Sequence, residues 1–264
     1  LKQNKNKKIK AVIVTDYAGH PSDWKKLYAL KKKYKIHLIN DNCHAIGASI
    51  NGNKGYSAKY ADFVSLSFHP VKTITTGEGG AVLTNNKDYA KKIELLRSHG
   101  IKRNKKLSDK KGNWYYEMIA LGFNYRLTDI QAALGLSQMK RLDDYVKIRH
   151  ELAEVYDREF SNLQIITPFQ SPGVYSSYHL YPIRIKEITK VAIQQKIYEK
   201  LRKDSIAVNL HYIPVHRQPY YENLGFKKED FPESEQFHRE VISLPMFPSL
   251  TNQQQDSVIQ SLVT

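Results

Sequence analysis

Two short apolar runs with a helical pattern between them constrain the fold of this chain more than any other feature. Residues 11–14 are apolar and mostly β-branched, and Ser22 caps a helical pattern that leads to a second apolar run at residues 36–39. Strand, helix and strand in this order predict a βαβ unit and therefore a mostly parallel sheet. Residues 11–14 are expected to form a central strand of that sheet.

Acidic residues follow both predicted strands. Asp16 comes just after the first strand and Asp41 just after the second. Because parallel sheets bind ligands at the carboxyl ends of their strands, both carboxylates are expected where a ligand would lie. An aspartate after a buried strand is also a common helix cap, and the residues alone leave this second interpretation of Asp41 open.

A lysine stands between two further predicted strands, within residues 65–86. The segment begins with strand alternation, breaks at Pro70, presents Lys72 and turns through three glycines into an apolar strand at residues 81–83. A lysine on a short bend between buried strands is partly desolvated, which lowers its pKa and makes it a candidate nucleophile toward carbonyls. The alternative is an ordinary solvated lysine in a loop.

Residues 67–72 (SFHPVK), followed by GEGG at residues 77–80, resemble the lysine segment of the DegT/DnrJ/EryC1/StrS family of pyridoxal-phosphate-dependent nucleotide-sugar aminotransferases. In that family the lysine bonds covalently to the cofactor, and the serine five residues earlier binds the cofactor phosphate. The resemblance implies that Lys72 is catalytic and that Ser67 and Lys72 bind pyridoxal 5'-phosphate. It also implies the type I fold of these transferases, an α/β fold with a mostly parallel sheet flanked by helices and a smaller C-terminal α/β domain.

Residues 41–47 (DNCHAIG) are similar to a second signature of the family, aspartate-x-x-glutamine or histidine-alanine. There the aspartate pairs with the pyridine nitrogen of the cofactor, which keeps the ring able to take up electrons. The third residue after it contacts the ring hydroxyl. The resemblance therefore implies cofactor-binding roles for Asp41 and His44. For His44 a purely structural role is equally open.

A third family-like stretch, residues 121–135, contains the capping box Thr128-x-x-Gln131, which predicts the start of a helix. Asn124 and Arg126 lie on the loop before it. In the family the matching asparagine reaches into the partner subunit and binds the cofactor phosphate. The resemblance implies this role for Asn124, and hence a homodimer. For Arg126 a capping or solvent contact remains open.

The second half of the chain opens with a long amphipathic pattern over residues 142–160, which predicts a helix with an apolar core face. We expect two domains on this basis. Residues 1–140 would be the remainder of a large cofactor-binding domain, and residues 141–264 a connecting helix and a small C-terminal domain.

Residues 176–185 and 206–212 predict strands of that small domain, and Thr189 is expected to cap the helix between them. In the family the second of these segments lines the nucleotide-sugar pocket, so the resemblance implies substrate-binding roles for His211 and Tyr212. No cysteine or carboxylate stands at metal-ligand spacing from its histidines, so no metal site is expected.

Composition narrows the class of protein. The 264 residues contain one cysteine, Cys43, which excludes an internal disulfide and fits a reducing cytoplasm. No apolar run approaches the ~20 residues that cross a bilayer, so no membrane partner is expected. The net charge of +15 suits phosphate-bearing partners. Because the lysines are scattered over predicted helix faces, we expect a nucleotide-sugar diphosphate rather than nucleic acid. Residues 101–113 are densely charged and predict an exposed loop.

The preserved order of motifs implies a transaminase. Residues 16–19 (DYAG) and 67–72 suggest the sub-group that transfers an amino group, with glutamate as donor, to a 4-keto-6-deoxy UDP-sugar on the route to pseudaminic acid or a related surface sugar. In such a reaction the amine of Lys72 would act as general base and acid.

One departure from the family concerns length. Its members normally carry roughly a hundred further residues before the first strand seen here, so an incomplete type I fold is expected. The alternatives are a truncated, non-catalytic family fragment and a basic nucleic-acid-binding module. A sugar dehydratase of the same fold has a histidine at the lysine position, and Lys72 argues against it.

Overall fold

The computed structural model describes residues 9–185 and 192–263. Its strands are β1 (Ala11–Thr15), β2 (His37–Asp41), β3 (Ser49–Ile50), β4 (Phe63–Ser67), β5 (Gly80–Leu83), β6 (Ile101–Lys102), β7 (Glu117–Met118), β8 (Ile165–Ile166), β9 (Val174–Tyr175), β10 (Tyr181–Ile185) and β11 (Val241–Leu244). Its α-helices are α1 (Trp24–Tyr34), α2 (Tyr56–Tyr60), α3 (Lys87–Arg97), α4 (Lys105–Lys111), α5 (Asp129–Met139), α6 (Leu142–Glu159), α7 (Ala192–Lys203), α8 (Pro219–Glu222), α9 (Pro232–Glu240) and α10 (Asn252–Val263).

The chain divides into two compact units. The first unit holds the described residues of Leu1–Asp16, Ser22–Cys43 and Asn53–Arg141. The second unit holds those of Tyr17–Pro21, His44–Gly52 and Leu142–Thr264. Short segments after β1 and β2 therefore belong to the second unit, although the strands themselves belong to the first.

A mixed sheet with the strand order β1-β2-β4-β5 forms the centre of the first unit. β1, β2 and β4 run parallel, with Thr15 opposite Asp41 and Asp41 opposite Ser65, while β5 is antiparallel to β4. The βαβ unit and the mostly parallel sheet predicted from the sequence are confirmed.

Residues 11–14 are predicted to form a central strand, but within residues 9–185 and 192–263 β1 pairs with β2 alone and lies at the edge of this sheet. Ile13 is 68% exposed in the first unit. An apolar, β-branched run indicates a strand, but it does not say how many neighbours that strand has. The helix cap is also shifted by one residue, since Asp23 rather than Ser22 accepts the hydrogen bond from the Lys26 N–H.

The rest of the first unit contains the helices α1 to α5 and the short antiparallel pair β6-β7. The predicted loop at residues 101–113 is wrong, because it contains α4, which Asn104 caps through the Lys106 N–H. The capping box at the start of α5 is confirmed, with both hydrogen bonds between Thr128 and Gln131 present. A high density of charged residues, as at residues 101–113, does not exclude a helix, because lysine is a good helix former.

The second unit is built on the antiparallel sheet β11-β10-β8. Its core joins this sheet to α6, α7 and α10 through fully buried residues such as Tyr156, Tyr181, Ile183, Leu201 and Ile242. The long helix predicted over residues 142–160 is confirmed as α6.

Two strand predictions in this half need correction. β10 begins only at Tyr181, so the strand predicted over residues 176–185 is half as long as expected. Residues 206–212 form no strand; a single bridge joins Asn209 to Ser243. Alternating apolar residues in this segment are buried against the core without forming a ladder. The predicted Thr189 cap lies outside the described residues.

Candidate cofactor-binding and active site

The lysine bend of the first unit follows directly from β4. The Phe68 N–H donates to Gly79 O at 2.9 Å, and the Thr76 N–H donates back to Phe68 O at 3.0 Å. These bonds close the loop around Lys72, whose own N–H donates to His69 O at 2.9 Å. The side chain is thereby carried on a defined bend rather than on a loose loop.

Glycine is required where this bend returns to the sheet. A Cβ on Gly80 would lie 2.7 Å from Leu66 O, and Gly79 adopts a φ of +158°. A larger residue would separate β5 from β4. The lysine bend was expected between two buried strands. The structure differs in one of them, because β5 is largely exposed.

The amine of Lys72 is half-buried, and this desolvation lowers its pKa below the ordinary value of lysine, while the nearby Cys43 and Asp41 act in the opposite direction. A lowered pKa increases the share of neutral, nucleophilic amine at neutral pH. The structure thus brings together two of the residues predicted from the sequence, Lys72 and Asp41.

Asp41 lies at the carboxyl end of β2, and it does not cap a helix. One carboxylate oxygen accepts from the Cys43 N–H at 3.2 Å, and the other accepts from the Thr15 hydroxyl at 3.4 Å. Its side chain is part-exposed, so the carboxylate keeps room for a further partner.

Ser67 is the last residue of β4 and pairs with Gly80. Its hydroxyl oxygen accepts from the His69 N–H at 3.4 Å, which leaves the hydroxyl proton available to an anion. Ser67 therefore lies at the same carboxyl edge of the parallel strands as Asp41.

Cys43 is a member of this group that the sequence reasoning did not assign. Burial raises the pKa of its thiol to about 11, with Asp41 adding to the rise, and Lys72 opposing it. Its position between the aspartate and histidine of the family-like signature was the available signal.

Asn124 lies elsewhere in the first unit. It forms a bridge with Ser98 in an extended segment, and its side chain is exposed. Arg126 is also exposed.

His44, His211 and Tyr212 belong to the second unit, where the structure brings them together. The ring of His44 lies 6.5 Å from that of Tyr212, and the rings of His211 and Tyr212 meet edge-on at 4.8 Å. His44 is buried, and its Nδ1 accepts from the Ala18 N–H at 3.3 Å. In a neutral imidazole this places the proton on Nε2.

Two further residues of this group were missed. His179 lies 4.4 Å from His44 between ring centroids, and the Tyr17 hydroxyl donates to His211 O at 2.6 Å. Burial raises the pKa of Tyr17 above its ordinary value, so its hydroxyl stays a donor. No periodicity or motif spacing signals a contact between positions so distant in the chain.

In residues 9–185 and 192–263, no group of three or more histidine, cysteine, aspartate or glutamate side chains is arranged to hold a metal ion. Within the same residues, no helix is both long and apolar enough to span a bilayer.

Residues 1–263 match the family described as the DegT/DnrJ/EryC1/StrS aminotransferase family. The chain belongs to this family, as the lysine segment implied. Aminotransferases of the family depend on pyridoxal phosphate, and one similar solved structure is the PLP-form of a sugar aminotransferase.

Two relatives match most of this chain. The chain is 40% identical over 259 residues to MJ1066 of Methanocaldococcus jannaschii, covering 97% of this chain and 66% of that protein. It is 38% identical over 246 residues to the UDP-4-amino-4,6-dideoxy-N-acetyl-β-L-altrosamine transaminase of Campylobacter jejuni, covering 93% of this chain and 62% of the relative. The chain thus spans somewhat less than two thirds of the length of these relatives.

Solved structures agree with the fold. Helicobacter pylori PseC, an aminotransferase of pseudaminic acid biosynthesis, superposes with a TM-score of 0.88 at 32% identity, over 100% of this chain and 69% of PseC. The Streptococcus pneumoniae protein Spr1654 gives a TM-score of 0.89 at 29% identity, over 97% of this chain and 69% of Spr1654. The α/β fold of pyridoxal-phosphate-dependent sugar aminotransferases is confirmed.

Proposed function

We propose that this protein is a pyridoxal-phosphate-dependent aminotransferase that moves an amino group from glutamate to a 4-keto-6-deoxy UDP-sugar. The observation that carries the proposal is the half-buried Lys72 amine, with its lowered pKa, beside the carboxylate of Asp41. The relatives described as UDP-sugar transaminases, together with PseC, support a role in pseudaminic acid or related surface-sugar synthesis.

The groups at the carboxyl edge of the first unit's sheet fit the cofactor. Asp41 offers a part-exposed carboxylate for a protonated ring nitrogen, Ser67 a hydroxyl for a phosphate, and Lys72 an amine for an aldehyde. When bound, pyridoxal phosphate supplies an electron sink for the carbon next to the transferred nitrogen. Asp41 would support that chemistry by keeping the ring nitrogen protonated.

Lys72 would carry the proton steps. Its amine can accept a proton from a substrate carbon only when it is neutral, and desolvation favours the neutral form. The charge of Asp41 opposes this effect, so the two residues together set how much neutral amine is present at neutral pH.

The second unit contains three further residues to which the family resemblance gives binding roles. His44, with its proton on Nε2, would donate to the ring hydroxyl oxygen of the cofactor. His211 and Tyr212 would contact the nucleotide sugar. These roles are supported by the contacts that join these side chains to one another and to Tyr17, and by the family to which the chain belongs.

A homodimer in which Asn124 serves the partner's site is part of the proposal. Its support is the apolar surface that surrounds Asn124 in the first unit, where Leu121, Phe123 and Tyr125 are all exposed. Ile130 on α5 is 85% exposed in the same unit. A second copy of the chain would remove such side chains from water.

The net positive charge of the chain does not require a nucleic-acid partner, because the match to the aminotransferase family includes the basic segments of the chain. The phosphates of a UDP-sugar and of the cofactor are acidic partners of the expected kind. Location in the cytoplasm stays a prediction.

The test uses the purified chain with pyridoxal phosphate. We expect borohydride reduction to fix one cofactor on the peptide that contains Lys72 and expect Lys72→Ala to lose both this adduct and the visible absorbance band. Lys59→Ala, which removes an exposed lysine of α2, should keep both. An adduct of unchanged yield on Lys72→Ala would refute the assignment.

Activity is tested separately, by chromatographic detection of the amino sugar formed from glutamate and a 4-keto-6-deoxy UDP-sugar. Cofactor on Lys72 without any product would identify the chain as a non-catalytic family fragment.

A further inference from the structure

The side chain of Asp16, in the first unit, accepts hydrogen bonds at both carboxylate oxygens. It is 0% exposed. One carboxylate oxygen accepts from the Ser22 N–H at 2.8 Å and from the Trp24 indole at 3.1 Å. The other accepts from the Tyr56 hydroxyl at 2.7 Å and from the side-chain amides of Asn40 and Asn42, each at 3.1 Å.

All five of these donors are uncharged. A buried carboxylate is costly unless its oxygens are saturated by hydrogen bonds, and here donors from three separate elements converge on it. The donors come from the start of α1, from the end of β2 and from α2. An apolar residue would fill this part of the core at a lower cost in free energy. The carboxylate therefore indicates a role beyond packing.

The arrangement bears directly on Asp41. The Asp16 N–H donates to Asp41 O at 3.0 Å, and the Asn42 N–H donates to Ser65 O at 3.0 Å. The Asn42 side chain is held by the Asp16 carboxylate and by the Tyr56 hydroxyl, at 2.9 Å. The backbone of Asp41 is thus clamped on one side through Asp16 and on the other through Asn42.

We propose that Asp16 is a positioning residue for the proposed aminotransferase. Its carboxylate fixes the turn at residues 41–43, so that the carboxylate of Asp41 stays directed at the place where the cofactor ring nitrogen would lie. The proposal rests on the proposed function, because the direction of Asp41 matters for catalysis only if it pairs with that nitrogen.

The sequence pattern had placed Asp16 at the ligand edge of the sheet. The structure instead buries it, with both oxygens already occupied. Asp16 therefore acts through Asn42 and the backbone rather than by touching a ligand.

The decisive variant is Asp16→Asn. It keeps the shape of the side chain but replaces one acceptor oxygen with an NH₂ group. Because both oxygens accept hydrogen bonds in the wild type, the NH₂ group faces donors in either orientation of the amide. The matched control is Trp24→Phe, which removes a single donor, the indole N–H that lies 3.1 Å and 3.3 Å from the two oxygens, and leaves both acceptor oxygens and the Asn42 contact in place.

The readout is hydrogen–deuterium exchange of the cofactor-free chain, followed by mass spectrometry of peptides that cover residues 40–43. We expect Asp16→Asn to speed exchange there by about tenfold or more, because the clamp on this turn is lost. Trp24→Phe should stay within about twofold of the wild type in the same peptides. Titration with pyridoxal phosphate should then show about tenfold weaker binding for Asp16→Asn.

Equal exchange at residues 40–43 in Asp16→Asn and Trp24→Phe would overturn the proposal, since Asp16 would then contribute only general stability. If Asp16→Asn does not fold, Asn42→Ala replaces it. The proposal then requires faster exchange at residues 40–43 in Asn42→Ala than in Trp24→Phe. The exchange result needs no cofactor. A wild-type chain that binds no pyridoxal phosphate would therefore refute the proposed function while leaving the local result readable.

Discussion

The single thiol of the chain reports on the charges around Lys72. Cys43 is the sole cysteine, and burial together with Asp41 raises the pKa of its thiol to about 11, whereas Lys72 acts to lower it. The two charges should therefore shift its reactivity in opposite directions. Asp41→Asn removes the negative charge with little change in shape, and Lys72→Met removes the positive charge.

The magnitude follows from the thiolate fraction. With a pKa of about 11, only about one thiol in a thousand is ionised at pH 8. Loss of one neighbouring charge shifts such a pKa by about one unit, which changes the thiolate fraction about tenfold. A lower pKa also weakens the nucleophile, with a Brønsted slope of about 0.4–0.5, so the net change in rate is about threefold.

We expect Asp41→Asn to react about threefold faster than the wild type with a small thiol reagent at pH 8, and Lys72→Met about threefold slower. The assay is pseudo-first-order labelling of the cofactor-free chain between pH 7 and pH 10. Thr15→Val is the control, because it loses the 3.4 Å hydrogen bond to Asp41 without a change of charge and should react at the wild-type rate.

Rates that move in the same direction in the two charge variants would refute the electrostatic reasoning. So would a wild-type labelling profile with its midpoint below pH 9, because that would show a thiol that is neither desolvated nor paired with a carboxylate.

Three further predictions concern stability, measured as the free energy of unfolding in urea. Burial would raise the pKa of Asp62, but its hydrogen bonds to Lys31 and the Leu38 N–H hold that pKa below the usual value. Asp62→Asn should therefore cost about 1–3 kcal/mol at pH 7, and the difference should disappear as the pH falls through the lowered pKa of Asp62; a pH-independent difference would contradict this. Arg149 donates to three backbone carbonyls of the second unit, so Arg149→Met should cost about 3 kcal/mol or more, and a loss below about 1 kcal/mol would contradict it. Gly100 has a φ of +67° and lies against Ala120 O, so Gly100→Ala should cost more than about 2 kcal/mol; an unchanged urea midpoint would show that the backbone moves freely there.

Local patterns predicted local structure well. The βαβ unit, the capping box at Thr128 and the helix α6 are all visible in the sequence because each depends on residues within one or two turns of one another. The lysine bend also belongs to this class, since its proline and glycines lie within a short segment.

Features that depend on distant neighbours were not predictable in this way. The edge position of β1 depends on which strands lie beside it, and the absence of a ladder at residues 206–212 depends on what covers them. His179 contacts the ring of His44 from a distant part of the chain, and no spacing rule contains such a contact.

The start of α5 is hydrogen-bonded to the lysine bend through the side chain of Gln131. Gln131 completes the capping box of that helix and, at 2.9 Å, its amide also donates to Glu78 O. A displacement of α5 must then either pull the loop with it or break that bond. A shift of the first turn of α5 would therefore alter the segment that carries Lys72.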